Sequence, residues 1–352
     1  MDEHPTEPVA DDKRQGRRRA SRATGNITLA DVAKIAGVSS ITVSRAVNRP
    51  ELVTPATLTH VQEAIARTGY VPNLLAGGLA SKRTRLVAAI VPSITNTIFA
   101  DTIQALTDRL WDAGYQVLLG LSGYPAAREE DLLAAVLSRR PDAICLTGID
   151  HSLSVRQRLF AAKVPVVETW DFTPTPIDML VGFSHEEVGR AVARRLVGKG
   201  HRAFGMIWAD DARALERRRG FQSELDAARV ADVKVVTVPA PSSFALGRQG
   251  LAYLLEEGSR PTAVFCSSDV LAHGALEEAR CRGLRVPRDL ALVGFGDLEF
   301  GLHTSPALST VRVDRAAIGR RAAELILGRL NGNSIGPPIV DVGFEVVERA
   351  TS

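Results

Sequence analysis

The sequence predicts an N-terminal all-α helix-turn-helix headpiece with a hinge helix, followed by an α/β body of two doubly wound parallel-sheet subdomains. Three observations lead to this fold class. Short segments with their own helix start and stop signals occupy residues 26–81. From Leu86 onward, apolar β-rich runs alternate with amphipathic stretches, as in buried parallel strands joined by helices. The alternation runs in two rounds separated by a break near residues 179–184, which predicts two similar subdomains with a ligand cleft at their strand ends.

Composition and charge narrow the class of protein. The 352 residues suffice for two or three domains, and the 45% hydrophobic and 24% charged residues exclude a disordered chain, a collagen and a membrane bundle. The net charge of +3 is uneven: residues 1–85 hold 13 Lys and Arg against 8 Asp and Glu, and the remainder is slightly acidic. A basic head on such a body is typical of a nucleic-acid-binding module attached to a ligand-binding domain, although a simple basic tail gives the same imbalance.

The cysteines indicate neither a disulfide framework nor a metal site. Cys145, Cys266 and Cys281 are widely spaced and lack a CxxC pair or a flanking histidine, as expected of reduced thiols in the cytoplasm. The N-terminus lacks the apolar region of a secretory signal, and no run approaches the ~18 apolar residues of a membrane span. We therefore expect a cytoplasmic protein without a cofactor.

Four regions are predicted along the chain. Residues 1–25 are rich in charge, Pro, Gly and Ala without apolar periodicity, which predicts a disordered tail. The headpiece is expected over 26–71 and the hinge over 72–84. A ligand-binding and dimerisation domain is expected over 85–352.

Capping and turn residues predict the first two helices of the headpiece. Thr28 caps the first helix, with Asp31 three residues on, and Gly37 permits the turn that follows. The second helix starts after the cap Ser39 and runs to about Val47. The apolar positions that join the two helices are Val32, Ala33, Ile35, Ala36, Val38, Val43 and Val47.

The outer face of the second helix is suited to reading DNA. Its positions mix hydrogen-bonding and apolar groups that can meet base edges and phosphates. These positions are Ser40, Ile41, Ser44, Arg45 and Asn48. An ordinary helical bundle is the alternative, which the coincidence of a glycine turn, two caps and a polar face disfavours.

A third helix and a hinge complete the head. A cap followed by proline at the first helical position predicts a helix from Thr54 to Gly69. Asn73 can then cap only two turns of a helix interrupted by two glycines, so the hinge should fold only when docked. Its leucines, Leu79 among them, suit pairing of hinge helices or a wedge in the DNA minor groove, or else packing on the body.

In the body, each predicted strand is an apolar run and each predicted helix an amphipathic one. The strands are LVAAIVP, QVLLGLS, AICLTG and VPVVE in the first round, and AFGMIW, VKVVTV, TAVFCSSD and LALVGF in the second. The helices are 97–113, 126–139, 152–162, 186–198, 213–228, 244–257 and 270–281.

From about Asn26 the chain resembles bacterial transcription regulators of the LacI/GalR family. TLADVAKIAGVSSITVSRAVN and YVPN..A..LASK are similar to that family's headpiece and hinge. HRAFGMIW, ERRRGF, RPTAVFCSSDVLAHGAL, GLRVPRDLALVGFGD and SPALSTVRVD are similar to its periplasmic-binding-protein-like effector domain. VPSITNTIFAD, VPVVETWD and VGF most resemble the branch of gluconate repressors. The resemblance implies a repressor whose operator affinity is controlled by a small ligand.

The resemblance also implies roles for residues of the headpiece and hinge. Ser40 and Ile41 lie where the family has its specificity-reading pair, although Ile41 offers only an apolar contact, for example to a thymine methyl. A base contact is implied for Arg45 and a minor-groove contact for Leu79. Contacts to the DNA backbone or its neighbourhood are implied for Thr28, Ser39, Thr42, Ser44, Asn48 and Asn73.

Effector-binding residues are predicted at strand ends and on one helix. Arg213 and Arg217 share a helix face and can grip a carboxylate or polyol together, and Arg217 falls at the family's effector-binding arginine; a solvated basic face is the alternative. Asp269 and Asp297 follow strands of the second round. The family's usual aspartate stands one position before Asp297, where this chain has Gly296. The candidates from the first round are Ser93, Asn96, Phe99, Thr147, Glu168 and Asp171.

The expected partners are a palindromic double-stranded operator, a sugar or sugar acid such as gluconate, and a second copy of the chain. Because the chain ends four residues past Glu348 without a heptad stretch, a homodimer is expected rather than a tetramer. An enzyme is one rival function, disfavoured because the sequence has no GxGxxG, Walker, GxSxG or HExxH motif. A secreted solute-binding protein is the other, disfavoured by residues 28–83 and the missing signal peptide.

Overall fold

The computed structural model describes residues 27–71, 83–95, 97–256, 258, 260–333 and 338–352. The chain divides into two units, Met1–Ser81 and Lys82–Ser352. The predicted tail 1–25 lies outside the described residues, as do Asn96 and the hinge positions Asn73 and Leu79.

The described part of the first unit contains three α-helices, α1 (Leu29–Ala36), α2 (Ser40–Asn48) and α3 (Pro55–Thr68), with a short 3-10 helix, Pro50–Leu52, before α3. The predicted caps are present: the Asp31 amide donates to Thr28 Oγ1, and the Thr42 amide donates to Ser39 Oγ. Gly37 ends α1 in the left-handed region at φ +67°, where a side chain would be strained. Local capping and turn chemistry therefore sets the helix boundaries of the head.

The core of the headpiece is small and aliphatic. Val32, Val43 and Val61, one from each helix, are buried and pack together. Ile35 was predicted on this apolar face but is 48% exposed, because only one side of the short α1 can face the other two helices.

The second unit holds twelve described strands. They are β1 (Leu86–Val91), β2 (Gln116–Leu121), β3 (Ala143–Thr147), β4 (Val166–Thr169), β5 (Met179–Gly182), β6 (Ala203–Ala209), β7 (Asp232–Val238), β8 (Ala263–Cys266), β9 (Ala291–Val293), β10 (Thr310–Arg312), β11 (Ile339–Asp341) and β12 (Glu345–Val347). The described α-helices of this unit are α4 (Ala100–Asp112), α5 (Ala126–Leu137), α6 (Leu153–Ala162), α7 (His185–Gly198), α8 (Ala212–Ala227), α9 (Phe244–Glu256), α10 (Asp269–Cys281), α11 (Phe300–His303) and α12 (Arg315–Leu330).

Two parallel sheets confirm the predicted fold class. The first subdomain is built on the sheet β11-β5-β4-β3-β1-β2, and the second on the sheet β7-β6-β8-β9, with all neighbouring strands of both sheets parallel. A short antiparallel pair, β10 and β12, stands beside them. Among the described residues no helix is both long and apolar enough to cross a membrane.

The chain crosses between the subdomains more often than the sequence pattern predicted. The break expected near 179–184 is in fact the buried strand β5, which pairs with β4. After β10 the chain forms α12, which packs against α4, and it then adds β11 to the edge of the first sheet. The first subdomain is therefore completed by a segment from the far end of the chain.

A close crossing of α7 and α8 positions the arginine-bearing helix of the second subdomain. A Cβ atom added to Gly189 of α7 would overlap the backbone carbonyl of Arg217 on α8. A Cβ atom added to Gly220 of α8 would likewise overlap the carbonyl of Glu186 on α7. Because each helix presents glycine to the other's backbone, the helices approach more closely than side chains would allow.

We expect Gly189→Ala to lower the free energy of unfolding by about 1–3 kcal/mol, because the added methyl group must push α8 and its Arg217 away from α7. Urea unfolding followed by circular dichroism measures the change. Gly198→Ala is the matched control on the same helix, since Gly198 is exposed and its added Cβ would meet no atom. That control should be neutral or stabilising by up to about 1 kcal/mol; equal effects of the two changes would contradict the close crossing.

Candidate functional site

The candidate nucleic-acid surface is the outer face of α2. Ser40, Arg45 and Asn48 are exposed there, and Ile41 exposes 66% of its surface. The exposed Ile41 is suited to an apolar contact with one base. Arg45 on the same helix is suited to a charged contact with the neighbouring base. Ser44, predicted on the same exposed face, is half-buried. The contacts of this surface with DNA stay a prediction.

Several predicted DNA-contacting residues also hold the headpiece together. Thr28 forms a reciprocal capping pair with Asp31, and Ser39 Oγ lies 2.9 Å from Thr42 Oγ1. The Asn48 side-chain amide donates to the Ser44 carbonyl at 2.9 Å. Thr28 and Ser39 cap helix N-termini, whose backbone N–H groups can meet phosphates, whereas Asn48 closes the C-terminal turn of α2.

The candidate effector site is a pocket between the two subdomains of the second unit. Its walls combine two arginines, aromatic rings and hydroxyl groups. It is lined by Ile98, Phe99, Tyr124, Trp170, His185, Asp211, Arg213, Arg217, Ser242, Ser267, Ser268 and Phe295. Three of these mark helix starts: His185 begins α7, Asp211 caps α8 and Ser268 caps α10. Since helix N-termini carry partial positive charge, their convergence favours an anionic ligand.

Arg217 is held in this pocket by neutral groups. Its Nη1 donates to His185 Nδ1 and its Nη2 to the Ser267 carbonyl, both at 2.9 Å, and its guanidinium lies 4.0 Å from the centre of the Phe295 ring. Arg217 is 5% exposed, and burial lowers its pKa to about 10. The described residues give it partners for two of its five N–H donors and no ion pair.

His185 positions that guanidinium. Its Nε2 donates to the Trp170 carbonyl at 2.8 Å, which leaves Nδ1 to accept from Arg217. The ring must therefore be neutral, and burial together with the charges of Arg217 and Arg213 holds its pKa well below the ordinary value. The ring therefore links a backbone carbonyl of the first subdomain, that of Trp170, to Arg217 of the second subdomain by two hydrogen bonds.

Arg213 extends across the cleft from α8, the helix that also carries Arg217. It lies over the Phe99 ring, with its guanidinium 5.3 Å from the ring centre, and its Nη1 is 3.9 Å from Asp171 Oδ2. Phe99 and Asp171 both belong to the first subdomain, so this side chain of the second subdomain contacts the first subdomain across the cleft.

Asp171 is buried behind this arginine. Its carboxyl lies 3.7 Å from His185 Nε2, which already donates to Trp170. Burial raises its pKa to about 7, against the opposing effect of Arg213 and Arg217 and with a smaller contribution from the carboxylates of Glu216 and Asp211. A carboxyl group with a raised pKa therefore lies beside the pocket-lining Arg213.

Three of the predicted acidic residues, Glu168, Asp269 and Asp297, are not among the residues that line the pocket. Glu168 faces His151 at 3.7 Å and accepts from the Ile177 amide. Asp269 accepts from Thr310 Oγ1 at 2.5 Å and the Leu298 amide at 2.8 Å, so it fixes the loop after β9.

Asp297, which the sequence already set apart from the family pattern, pairs with Arg312 and Arg349 at 2.6 and 2.5 Å. Burial alone would raise its pKa, but these two arginines hold it below the ordinary value.

The structure places the remaining first-round candidates as follows. Ser93 Oγ is bonded within its own loop, to Thr95. Thr147 ends β3 half-buried and outside the pocket lining, whereas Phe99 lies in it. Asn96 lies outside the described residues.

Other pocket residues were not selected from the sequence. Ser267 and Ser268 directly precede the predicted Asp269, and His185 lies in a segment interpreted only as a helix start. The helix-start signal was itself the clue, because caps of helices that follow parallel strands lie at the ligand-binding edge. Among the described residues no cluster of His, Cys, Asp and Glu is arranged to hold a metal ion.

Comparisons with known proteins agree with both halves of this description. Residues 28–73 match the family model of bacterial regulatory proteins, lacI family, and residues 193–352 match that of a periplasmic binding protein-like domain. The chain is 38% identical to the HTH-type transcriptional regulator GntR of Pseudomonas aeruginosa, covering 94% of this chain and 97% of the relative.

Solved structures show the same architecture. A LacI-family transcriptional regulator from Silicibacter pomeroyi superposes with a TM-score of 0.88 at 33% identity, covering 92% of this chain and 99% of that one. The lac repressor dimer bound to operator and the anti-inducer ONPF superposes with a TM-score of 0.78 at 26% identity, covering 93% and 99%.

We expect the buried Asp171 to make stability depend on pH. Its pKa is about 7 in the folded chain, whereas an ordinary aspartate, as in the unfolded chain, has a pKa of 3.8. Between these two values the folded chain retains a proton that the unfolded chain has lost. The free energy of unfolding should therefore fall as the pH rises toward 7. Asp171→Asn abolishes this contribution, so the variant should gain stability relative to wild type between about pH 4 and 7.

Urea unfolding across this pH interval provides the measurement. Asp112→Asn is the matched control, since it removes an exposed carboxyl from the end of α4. A stability difference between Asp171→Asn and wild type that stays constant with pH would contradict the titration of Asp171.

Proposed function

The chain belongs to the lacI family of bacterial regulatory proteins and is a DNA-binding transcriptional repressor, and from this premise we propose that its effector is a small sugar acid such as gluconate. The observation that carries the proposal is the buried Arg217, which meets neutral acceptors and no carboxylate among its hydrogen-bond partners. A buried cation of this kind is stabilised when an anion joins it. The resemblance to gluconate repressors in three segments of the body agrees with this ligand class.

The pocket also suits the rest of a sugar acid. Arg213 and Arg217 can share a carboxylate from one helix face, with Asp211 and the serines at positions 242, 267 and 268 around them as partners for hydroxyl groups. Phe99, Trp170 and Phe295 supply apolar surface for the carbon chain. We assign Asp171 to the site as a neighbour of Arg213.

We further propose that the chain acts in the cytoplasm as a homodimer on a palindromic operator. The similarity to the lac repressor dimer bound to operator supports this assembly. The proposed DNA-contacting residues are Thr28, Ser39, Ser40, Ile41, Thr42, Ser44, Arg45 and Asn48, with Asn73 and Leu79 in the hinge. Effector binding would change the relative position of the subdomains, and such coupling typically amounts to about 1–3 kcal/mol.

Isothermal titration calorimetry with sugar acids, neutral sugars and purines tests the effector class. We expect binding of sugar acids and a loss of at least about tenfold in Arg217→Gln, because a charge-assisted bidentate contact is removed. Arg219→Gln on the same helix is the control, since Arg219 is exposed and pairs with Glu216. Binding of neutral sugars or purines alone would exclude the acid.

Arg45→Ala should weaken specific operator binding by about 1–3 kcal/mol if Arg45 makes a good base contact. Fluorescence anisotropy with the operator and a scrambled duplex measures the loss and shows whether discrimination falls with it. Arg67→Ala, an exposed arginine on α3, is the control for loss of one positive charge from the headpiece. An unchanged operator affinity in Arg45→Ala would remove this residue from the reading surface.

A further inference from the structure

The carboxyl group of Asp171 lacks a hydrogen-bond donor within the described part of the chain. Its nearest donors are Arg213 Nη1 at 3.9 Å and His185 Nε2 at 3.7 Å, both beyond hydrogen-bond distance. The histidine proton is already directed to the Trp170 carbonyl. Buried polar groups are almost always paired, so a carboxyl that is 10% exposed and has no donor within the described residues can accept a hydrogen bond from solvent or from a ligand.

A ligand in the pocket can approach Asp171 beside Arg213. Asp171 does not line the pocket itself, but its side chain is 10% exposed and its Oδ2 lies 3.9 Å from Nη1 of the pocket-lining Arg213. Space beside the pair is provided by Gly148, at φ +105°, whose added Cβ would lie 3.2 Å from Arg213 Nη1 and 3.6 Å from Asp171 Oδ2. A glycine here leaves room that any other residue would fill.

The two arginines and Asp171 require opposite hydrogen-bonding partners. Arg213 and Arg217 offer donors and need an acceptor, while Asp171, once it is ionised above its pKa of about 7, offers only acceptors and needs a donor. The donor and acceptor atoms of Arg213 and Asp171 are separated by 3.9 Å. A 2-hydroxy acid presents an acceptor and a donor on adjacent carbons, which matches this separation.

We propose that the cleft selects 2-hydroxy acids, with the carboxylate on Arg213 and Arg217 and the 2-hydroxyl donating to Asp171. The inference rests on the proposed binding of an acid and adds the group that must stand beside its carboxylate. A second carboxylate at the hydroxyl position would be repelled by Asp171, Asp211 and Glu216, so the site favours monoacids over diacids.

Matched ligand pairs test the proposal on the full chain by calorimetry at a pH above the pKa of about 7 of Asp171, where its carboxyl is ionised. The pairs are D-gluconate with 2-deoxy-D-gluconate, and D-glycerate with 3-hydroxypropionate; each pair differs by the 2-hydroxyl. Wild type should bind the hydroxylated member of a pair roughly tenfold more tightly, the effect of one buried hydrogen bond to a charged group. Asp171→Asn should reduce that preference, and Asp112→Asn should retain it.

The outcomes separate this inference from the proposed effector. Equal binding within the pairs by wild type, or an undiminished preference in Asp171→Asn, overturns the role of Asp171 even when gluconate binds. Discrimination in the glycerate pair without any gluconate binding supports the 2-hydroxyl rule and refutes gluconate as effector. Failure of both hydroxylated acids to bind overturns the inference.

Discussion

The buried guanidinium of Arg217 is the constraint around which the second unit is arranged. Removing a cation from water is costly unless its hydrogen bonds are replaced, and here a histidine nitrogen, a backbone carbonyl and an aromatic face replace part of them. None of these hydrogen-bonding groups carries a negative charge, and the carboxylates of Asp211 and Asp171 act on the cation only through space. The glycine crossing of α7 and α8 makes this possible by bringing Arg217 beside His185.

The same arrangement connects the two subdomains. His185 is bonded to a carbonyl of the first subdomain and to an arginine of the second, and Arg213 reaches from α8 to Phe99 and Asp171. A ligand that binds these arginines therefore contacts groups whose positions depend on the angle between the subdomains. The proposed effector binding would thereby be coupled directly to the relative position of the two sheets.

The site was only partly predictable. The ends of parallel strands show at which edge of the sheet a ligand binds, but they do not show which of the residues there direct their side chains into the cleft. Phe99, Arg213 and Arg217 line the pocket as expected. Asp269 follows β8 as predicted, but the first turn of α10 directs it to Thr310, and the preceding Ser268 faces the cleft instead. Glu168 shares a strand face with Val166, which packs toward α5 and α6, so strand alternation places it away from the cleft.

The sequence by itself determined the headpiece, because its helices are bounded by local chemistry: Thr28, Gly37 and Ser39 act through atoms within a few residues of themselves. It likewise determined the alternation that builds two parallel sheets, since hydrophobic period is a local property. Only the tertiary structure decided that α12 and β11 return to the first subdomain, and that Asp171 and Arg213 face each other across the cleft. These contacts join residues far apart in the chain. They depend on which surfaces are buried together in the folded chain, and the pattern of neighbouring residues does not specify that.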